Sequence, residues 1–549
     1  MLLKENATAE KLRGGYYTPY NLADFIVQWG FKGIEVQHVL EPSCGDGAFV
    51  RSLLARNNQN FECTGVEIIQ EEAAKVEKAV AKNPKFNVIN DDFYSYYRRQ
   101  VNDNRFELIV GNPPYIRYQY LTEEQREVQS NILTSNGMKS NKLINSWVSF
   151  VVAGVQLLAD TGKIGFVIPA ELLQVAYSEG LRGYLMQHLQ KITIVTFREL
   201  IFPNVEQEVV LLLAEKSVNH VGAHQIRTME FNNITDLVEN YNDNLVPFMN
   251  VELNNSKWTR YFLSATENQL INHVRQDQSF LSFDQIAEVD IGITTGNNKF
   301  FCVDLKTAEQ YDLVEICRPL IARSVSMRGI KFDNEALQYN VDRGAKAYLL
   351  DFPDSPFQEY SEGQQRYILE GEEREENTGY KCRIRKRWYR VPSIWVPDAF
   401  FLRRNYLYPK VVSNEINAVS TDTMHRIRLL LGIEPKKVLL SYYNSITLAF
   451  TEIEGRSYGG GVLEILPSEV EKIMLPNLFD IDIGQAQLDE LLEMIDQHVR
   501  NNDDILGILP EIDRRVLVEM LNIPERVVLS FRNMWLTLRE RRLQRGRKR

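Results

Sequence analysis

From residue 37 to 215 short apolar runs alternate with stretches of helical period, and that alternation leaves few folds open. Candidate strands fall at 37–41, 61–66, 86–89, 106–110, 163–168, 191–197 and 207–214, with amphipathic stretches such as 70–82, 146–159 and 170–189 between them. Strands that alternate with helices close into a mostly parallel, doubly wound α/β sheet with helices on both faces. The run at 207–214 follows 191–197 with only a loop between, so one antiparallel hairpin is expected at the sheet edge.

A chain of 549 residues exceeds one ordinary core, and two or three domains are expected. After residue 218 asparagine becomes frequent, which marks a linker or loop-rich connection. Residues 280–480 offer short strand-like pieces, aromatics and glycine turns without a clear helical period, and helical patterns return from 485, with one terminal helix over 525–542. The expected division is 1–220, a connecting segment 221–280, 281–480, and a helical segment 481–549 with a basic tail.

The start has no signal-peptide core and no run of eighteen apolar residues occurs, so a cytoplasmic protein without membrane contact is expected. Five scattered cysteines and seven scattered histidines form no disulfide frame and show no metal-ligand spacing, so no metal is expected. The net charge of −10 excludes a wholly basic nucleic-acid coat. The charge is nevertheless segregated. Residues 351–376 carry nine acidic groups against two arginines, and 377–410 carry nine basic groups against Asp398. Such a run is a solvated face or a site for a polyanion.

Asn112-Pro113-Pro114-Tyr115 lies directly behind the run 106–110. Two prolines fix their own φ and stiffen the turn after the strand. In open α/β sheets ligands bind at that end. The turn presents an amide side chain, a proline carbonyl and an aromatic face, which together suit gripping a planar amine; the alternative is a rigid loop with Tyr115 merely packed. Upstream, Glu41-Pro42-Ser43-Cys44-Gly45-Asp46-Gly47 follows the first strand and opens a helix. Gly45 and Gly47 allow close approach of a ligand. Glu41 would repel a phosphate and suits a positive amino group. Glu67 ends the second strand, placed to accept the hydroxyls of a ribose, with Ile68 beside it to cover one face of an adenine. Asp92 and Phe93 end the third, offering a carboxylate to an adenine amino group and a ring to its other face. Asn112 borders the same pocket. A nucleoside joined to an amino acid, beside an amine-gripping loop, is the chemistry of S-adenosylmethionine.

This set resembles the gamma class of DNA adenine-N6 methyltransferases, in which cofactor motifs precede the Asn-Pro-Pro-Tyr motif and the recognition domain comes last. The matching pieces are Gly15-Tyr16-Tyr17-Thr18-Pro19, the glycine turn 40–49, Glu67-Ile68, Asp92-Phe93, Asn112 to Tyr115, the stretch 162–169 and Phe202-Pro203-Asn204-Val205. The resemblance implies a class I S-adenosylmethionine-dependent methyltransferase sheet followed by a mixed α+β target-recognition domain. It implies that Thr18 touches the methionine end of the cofactor and that Phe202, with Phe197 nearby, stacks opposite Tyr115 on an adenine flipped from double-stranded DNA. Asn112, Pro113, Pro114 and Tyr115 would be the catalytic set. Gly292 to Phe301 and Arg456 to Leu463 resemble, more loosely, parts of recognition domains in the same enzymes. The basic run then has DNA to meet, with Arg383, Arg385, Lys386 and Arg387 on phosphates. A cognate restriction endonuclease acting on the same site without a stable complex is the further partner implied. The competing readings are a release-factor glutamine N5-methyltransferase, which would leave the C-terminal half unexplained, and the methylase or specificity part of a restriction assembly.

Overall fold

The computed structural model describes residues 17–56, 60–103, 105–202, 208–217, 223–251, 257–458, 460–501 and 504–544. Gly15-Tyr16, Pro203-Asn204-Val205, Gly459 and the basic tail from 545 onward lie outside them. Among the described residues no helix is long and apolar enough to cross a membrane. The chain forms two compact units that divide between Ala265 and Thr266.

The first unit is built on nine strands: β1 His38–Glu41, β2 Glu62–Glu67, β3 Phe86–Asn90, β4 Phe106–Gly111, β5 Leu158–Pro169, β6 Lys191–Phe197, β7 Val209–Glu215, β8 Gln225–Phe231 and β9 Met249–Asn250. Their order across the sheet is β3-β2-β1-β4-β5-β7-β6-β8-β9. The first five run parallel. β7 is antiparallel to both β5 and β6. The hairpin expected at the edge is therefore present but interior, because β8 pairs parallel with β6 and β9 closes the margin.

Among the described residues eight helices flank the sheet: α1 Tyr20–Phe31, α2 Ala48–Leu54, α3 Gln70–Val80, α4 Phe93–Gln100, α5 Glu123–Ser135, α6 Ser146–Leu157, α7 Glu179–His188 and α8 Ile234–Asn240. α1 lies so close to the sheet that a Cβ on Gly165 of β5 would come within 2.6 Å of Ile26. α6 buries eleven of its twelve residues, and at Leu158 the chain turns straight into β5, two residues before the expected helix end. The long helix expected over 170–189 is two short 3-10 turns followed by α7, which carries Glu179 in its first turn and His188 in its last.

The asparagine-rich stretch expected to be a connection carries β8, α8 and β9 instead. One of its asparagines begins such an element: the Asn233 side chain accepts the Asp236 N–H at 3.0 Å and caps α8. Capping residues and loop residues look alike in composition.

The second unit, described by itself, holds a five-stranded sheet (287–291, 424–429, 399–402, 411–414, 331–332), a four-stranded one, a three-stranded one and a set of helices. Two of the helices, Pro435–Tyr442 and Ser445–Glu454, fall where no helical period is visible. All ten residues of the latter are buried, and a helix covered on every side has no polar stripe to betray it. It packs on the C-terminal helix Glu525–Gln544, with Phe450 and Phe531 stacked at 5.9 Å. Arg542 on that helix is fully buried. It donates twice to Glu452, at 2.6 and 3.0 Å, and to the carbonyls of Tyr406 and Gly461. Removing one partner of such a pair leaves an uncompensated buried charge. Glu452→Ala should therefore lower the free energy of unfolding in urea by about 3–5 kcal/mol; a change within about 0.5 kcal/mol, as at an ordinary surface site, would contradict this account.

Candidate active site

Parallel pairing aligns the carboxyl ends of β1 to β4 along one edge. Glu41 lies beside Gly65 and Glu67 beside Asn90 in register. The residues that follow these ends line a cavity of about 240 Å³. Of the residues singled out in the sequence, Thr18, Glu41, Ser43, Gly45, Glu67, Ile68, Asp92, Phe93, Asn112 and Pro114 are on its wall. Gly47, Pro113, Tyr115 and Phe202 are not.

The wall is rich in carboxyl groups. Glu41 is 1% exposed, and burial, then Asp46 and Glu67, hold its carboxyl well above the usual range. Among the described residues its Oε2 has no hydrogen-bond partner. Glu67 is raised by burial as well, against the pull of two backbone donors: Gly45 N–H reaches Oε2 and Ile69 N–H reaches Oε1, both at 2.8 Å. Asp92, at the start of α4, is raised by burial while the Tyr94 N–H and the Gln125 side chain donate to it. Gly47 opens α2 with φ of 81°, and its place against Val76, 3.0 Å from where a Cβ would stand, leaves no room for a side chain. Three carboxyl groups raised by burial, one with an orphaned oxygen, fit a ligand that carries an amino cation and hydroxyl and amino donors. Phe93, against Phe150 at 4.6 Å, and the exposed Ile68 supply apolar faces.

The segment behind β4 is held from outside. Ser43 Oγ donates to the Asn112 carbonyl at 3.2 Å. Ser146 Oγ donates to the Pro114 carbonyl at 2.5 Å and accepts the Ile116 N–H at 3.0 Å. The Tyr115 hydroxyl lies 2.9 Å from Asn112 Oδ1 and 3.1 Å from the Val167 carbonyl. Among the described residues no hydrogen bond reaches the Pro113 carbonyl.

Several lining residues escaped the sequence reading, among them three from outside the expected strand ends. Leu121 and Gln125 come from the start of α5, and Ser146 from the start of α6. A signal for the first two existed: Thr122 and Gln125 form a capping box, with Thr122 N–H to Gln125 Oε1 at 3.0 Å and Gln125 N–H to Thr122 Oγ1 at 3.2 Å. Ser146 carries none, since any small residue could begin that helix.

Phe202 and Phe197 are both buried in the core of the first unit. In the second unit the four basic residues separate into two kinds. Arg387 pairs with Asp354 of the acidic stretch, and Arg385 donates to the Thr294 carbonyl at 3.2 Å and lies over the Phe301 ring. Arg383 and Lys386 are exposed, and among the described residues neither has an ion pair. The turn at Gly296 packs on Lys381, and Asn297, which caps the helix Asn298–Phe301, donates to the Glu376 carbonyl at 3.0 Å.

The family model of the Eco57I restriction-modification methylase matches residues 48–202, and that of the C-terminal domain of the type II methyltransferase M.Eco57I matches 255–517. The type II methyltransferase M.AccI of Acinetobacter calcoaceticus is 23% identical over 537 residues, covering 90% of this chain and 92% of the relative. M.HincII of Haemophilus influenzae is 27% identical over 208 residues, 38% of either protein. Among solved structures, that of the type IIL restriction-modification enzyme MmeI in complex with DNA superposes on 95% of this chain and 75% of its own, with a TM-score of 0.55 at 10% identity, which is a likeness of fold.

Glu41 also sets a pH dependence. Its folded pKa lies above the ordinary value of 4.5, so the stability it contributes is complete below about pH 4.5 and is lost as pH rises through the folded value. Glu41→Gln removes that loss. The ligand-free variant should exceed the wild type in unfolding free energy at about pH 8, with the gap closing towards pH 4.5; a gap independent of pH would refute the argument.

Proposed function

We propose, from the premise that the chain is a type II restriction-modification DNA methyltransferase working with S-adenosylmethionine, that its target atom is N6 of an adenine flipped out of double-stranded DNA. The observation that carries this reading is the segment after β4. It sets the Asn112 carboxamide on the wall of the cavity with three carboxyl groups, and leaves the Pro113 carbonyl without a donor among the described residues.

S-adenosylmethionine, when bound, supplies an electrophilic methyl group on a sulfonium. Glu41 would take its amino group, Glu67 its ribose hydroxyls and Asp92 the amino group of its adenine, with Ile68 and Phe93 on the two ring faces. Ser43, Gly45 and Gly47 shape the turn that admits it, and Thr18 would meet the methionine end. Orphaned Glu41 Oε2 and the raised carboxyl groups support this set.

An exocyclic amine conjugated to its ring is a poor nucleophile. Asn112 Oδ1 and the Pro113 carbonyl, accepting from the two N6–H groups, would draw the nitrogen towards tetrahedral geometry and localise its lone pair. The Tyr115 hydroxyl donates to Asn112 Oδ1 at 2.9 Å and fixes the orientation of that carboxamide; an amide oxygen has two acceptor lone pairs. Catalysis is then positioning and preorganised polarity, with no separate strong base. Reaching N6 requires the base to leave the duplex. Tyr115 and Phe202 would bracket it, and both are buried in the ligand-free chain, so they must be uncovered as the base enters. The second unit would hold the duplex, with Arg383 and Lys386 the freest of its basic run for phosphate contacts, and a cognate endonuclease would recognise the same sequence without a stable complex.

Asn112→Ala should lower the single-turnover rate of methyl transfer to DNA by about 10²–10³-fold, the size of a lost preorganised polar contact, while calorimetry finds cofactor affinity little changed. Wild-type turnover in that variant would end the mechanism. Glu67→Ala should lose cofactor affinity first, and an unaltered dissociation constant would remove Glu67 from the ribose site. Arg383→Glu combined with Lys386→Glu should flatten the dependence of DNA affinity on salt by about two counterions; the same slope in wild type and variant would place the phosphate contacts elsewhere.

A further inference from the structure

A pair of prolines has no backbone N–H, so within the segment Asn112 to Tyr115 the two central residues can be fixed only through their carbonyls. Two serines from different elements do this. Ser43, in the turn after β1, holds the Asn112 carbonyl, and Ser146 holds the Pro114 carbonyl. The carbonyl between them, that of Pro113, is the one without a donor among the described residues.

Ser146 is the stronger of the two holds. Its hydroxyl donates to the Pro114 carbonyl at 2.5 Å while accepting the Ile116 N–H at 3.0 Å, and its own N–H donates to the Ile116 carbonyl at 2.9 Å. Two of these bonds hold the peptide groups on either side of Tyr115, and the third holds the next one, between Ile116 and Arg117. Ser146 is buried and on the cavity wall. Its hydroxyl is not spent on its own helix: the residue before it, Asn145, is the N-cap and makes no side-chain capping bond. Ser149, one turn on, shows what a purely structural hydroxyl does here. It donates to the Ser146 carbonyl at 2.8 Å, meets the Tyr94 hydroxyl at 2.8 Å and, among the described residues, makes no hydrogen bond to the segment after β4.

We propose that Ser146 is a positioning residue for methyl transfer, fixing the Pro114–Ile116 peptides so that Tyr115 and, through its hydroxyl, Asn112 hold the target amine in line. The inference rests on the reading that Asn112 and Pro113 grip that amine. The cost falls on the transfer step, because Ser146, although it borders the cavity, commits its hydroxyl to the Pro114 carbonyl and the Ile116 N–H, while the polar groups of the cofactor are assigned to Glu41, Glu67 and Asp92. Misplacement of a reacting group by an ångström costs about 10²-fold. Ser146→Ala should therefore reduce the single-turnover transfer rate by about 10- to 100-fold and leave the dissociation constants of S-adenosylmethionine and of DNA unchanged. Ser146→Thr, which keeps the hydroxyl, should recover most of the rate. Ser149→Ala, an equally buried hydroxyl loss, should destabilise to a similar degree and transfer at the wild-type rate. If the alanine variant does not fold, Ser146→Cys, of similar volume and weaker hydrogen bonding, carries the same expectation. A wild-type rate in Ser146→Ala or Ser146→Cys would overturn the proposal, as would a rate loss shared equally by Ser149→Ala or accompanied by loss of cofactor binding. Asn112→Ala measured alongside separates the two readings: undiminished transfer there would fail the parent mechanism, whatever Ser146 does.

Discussion

The missing N–H groups of Pro113 and Pro114 organise the first unit's functional edge. A strand that ends in two prolines cannot pass hydrogen bonds onward, so its last residues are stiff in φ but unanchored along the chain. Anchors have to come from neighbours, and the parallel sheet supplies them. β1 lies on one side of β4, and its following turn brings Ser43; β5 lies on the other, and its Val167 carbonyl meets the Tyr115 hydroxyl, while α6, which leads directly into β5, brings Ser146. A β4 at the sheet margin would have lost half of these. The central position of β4 is thus a condition for a rigid loop rather than an accident of topology.

The same edge gathers charge at a cost. Glu41, Glu67 and Asp92 are drawn together because each ends or follows a strand, and burial raises all three. Backbone donors offset part of the cost at Glu67, where Gly45 and Ile69 both give an N–H. At Glu41 little offsets it, and one oxygen stays unmatched. A fold that bears such a penalty without a ligand gains it back as affinity when a cation and several donors arrive, which is why perturbed carboxyls concentrate at binding sites.

The strands and the edge were legible because both depend on local pattern. Alternation located β1 to β4, β6 and β7 within a few residues, and an acid at the end of each of two strands is a signal readable without neighbours. What escaped depends on burial or on partners. Ser445–Glu454 has no period because all of it is inside; β8 and β9 hid among asparagines that cap and turn rather than connect; and Ser146 matters only through a carbonyl thirty-two positions away. Phe202 matched by motif, yet its ring belongs to the core of the ligand-free chain. Leu121 and Gln125 entered the cavity wall through a helix whose capping box was visible but whose direction was not.

Basic residues show the same limit in electrostatic form. Counted along the chain, 377–410 and the C-terminus look like two strips for a polyanion. In the folded second unit Arg387 and Arg390 share Asp354, Arg403 and Arg404 share Glu464, Arg539 pairs with Asp504, and Arg542 is buried on Glu452. Arg426 and Arg428 lie on the Trp395 ring, each also near a carboxylate. Charge committed to internal pairs contributes little to a long-range field, so few of these cations remain to release counterions from a duplex. On the proposed reading these internally paired stretches add little to binding DNA at random, and contacts with base edges and with the flipped adenine seated beside Asn112 would carry the selectivity, which would make the stiff loop behind β4 part of recognition as well as of chemistry.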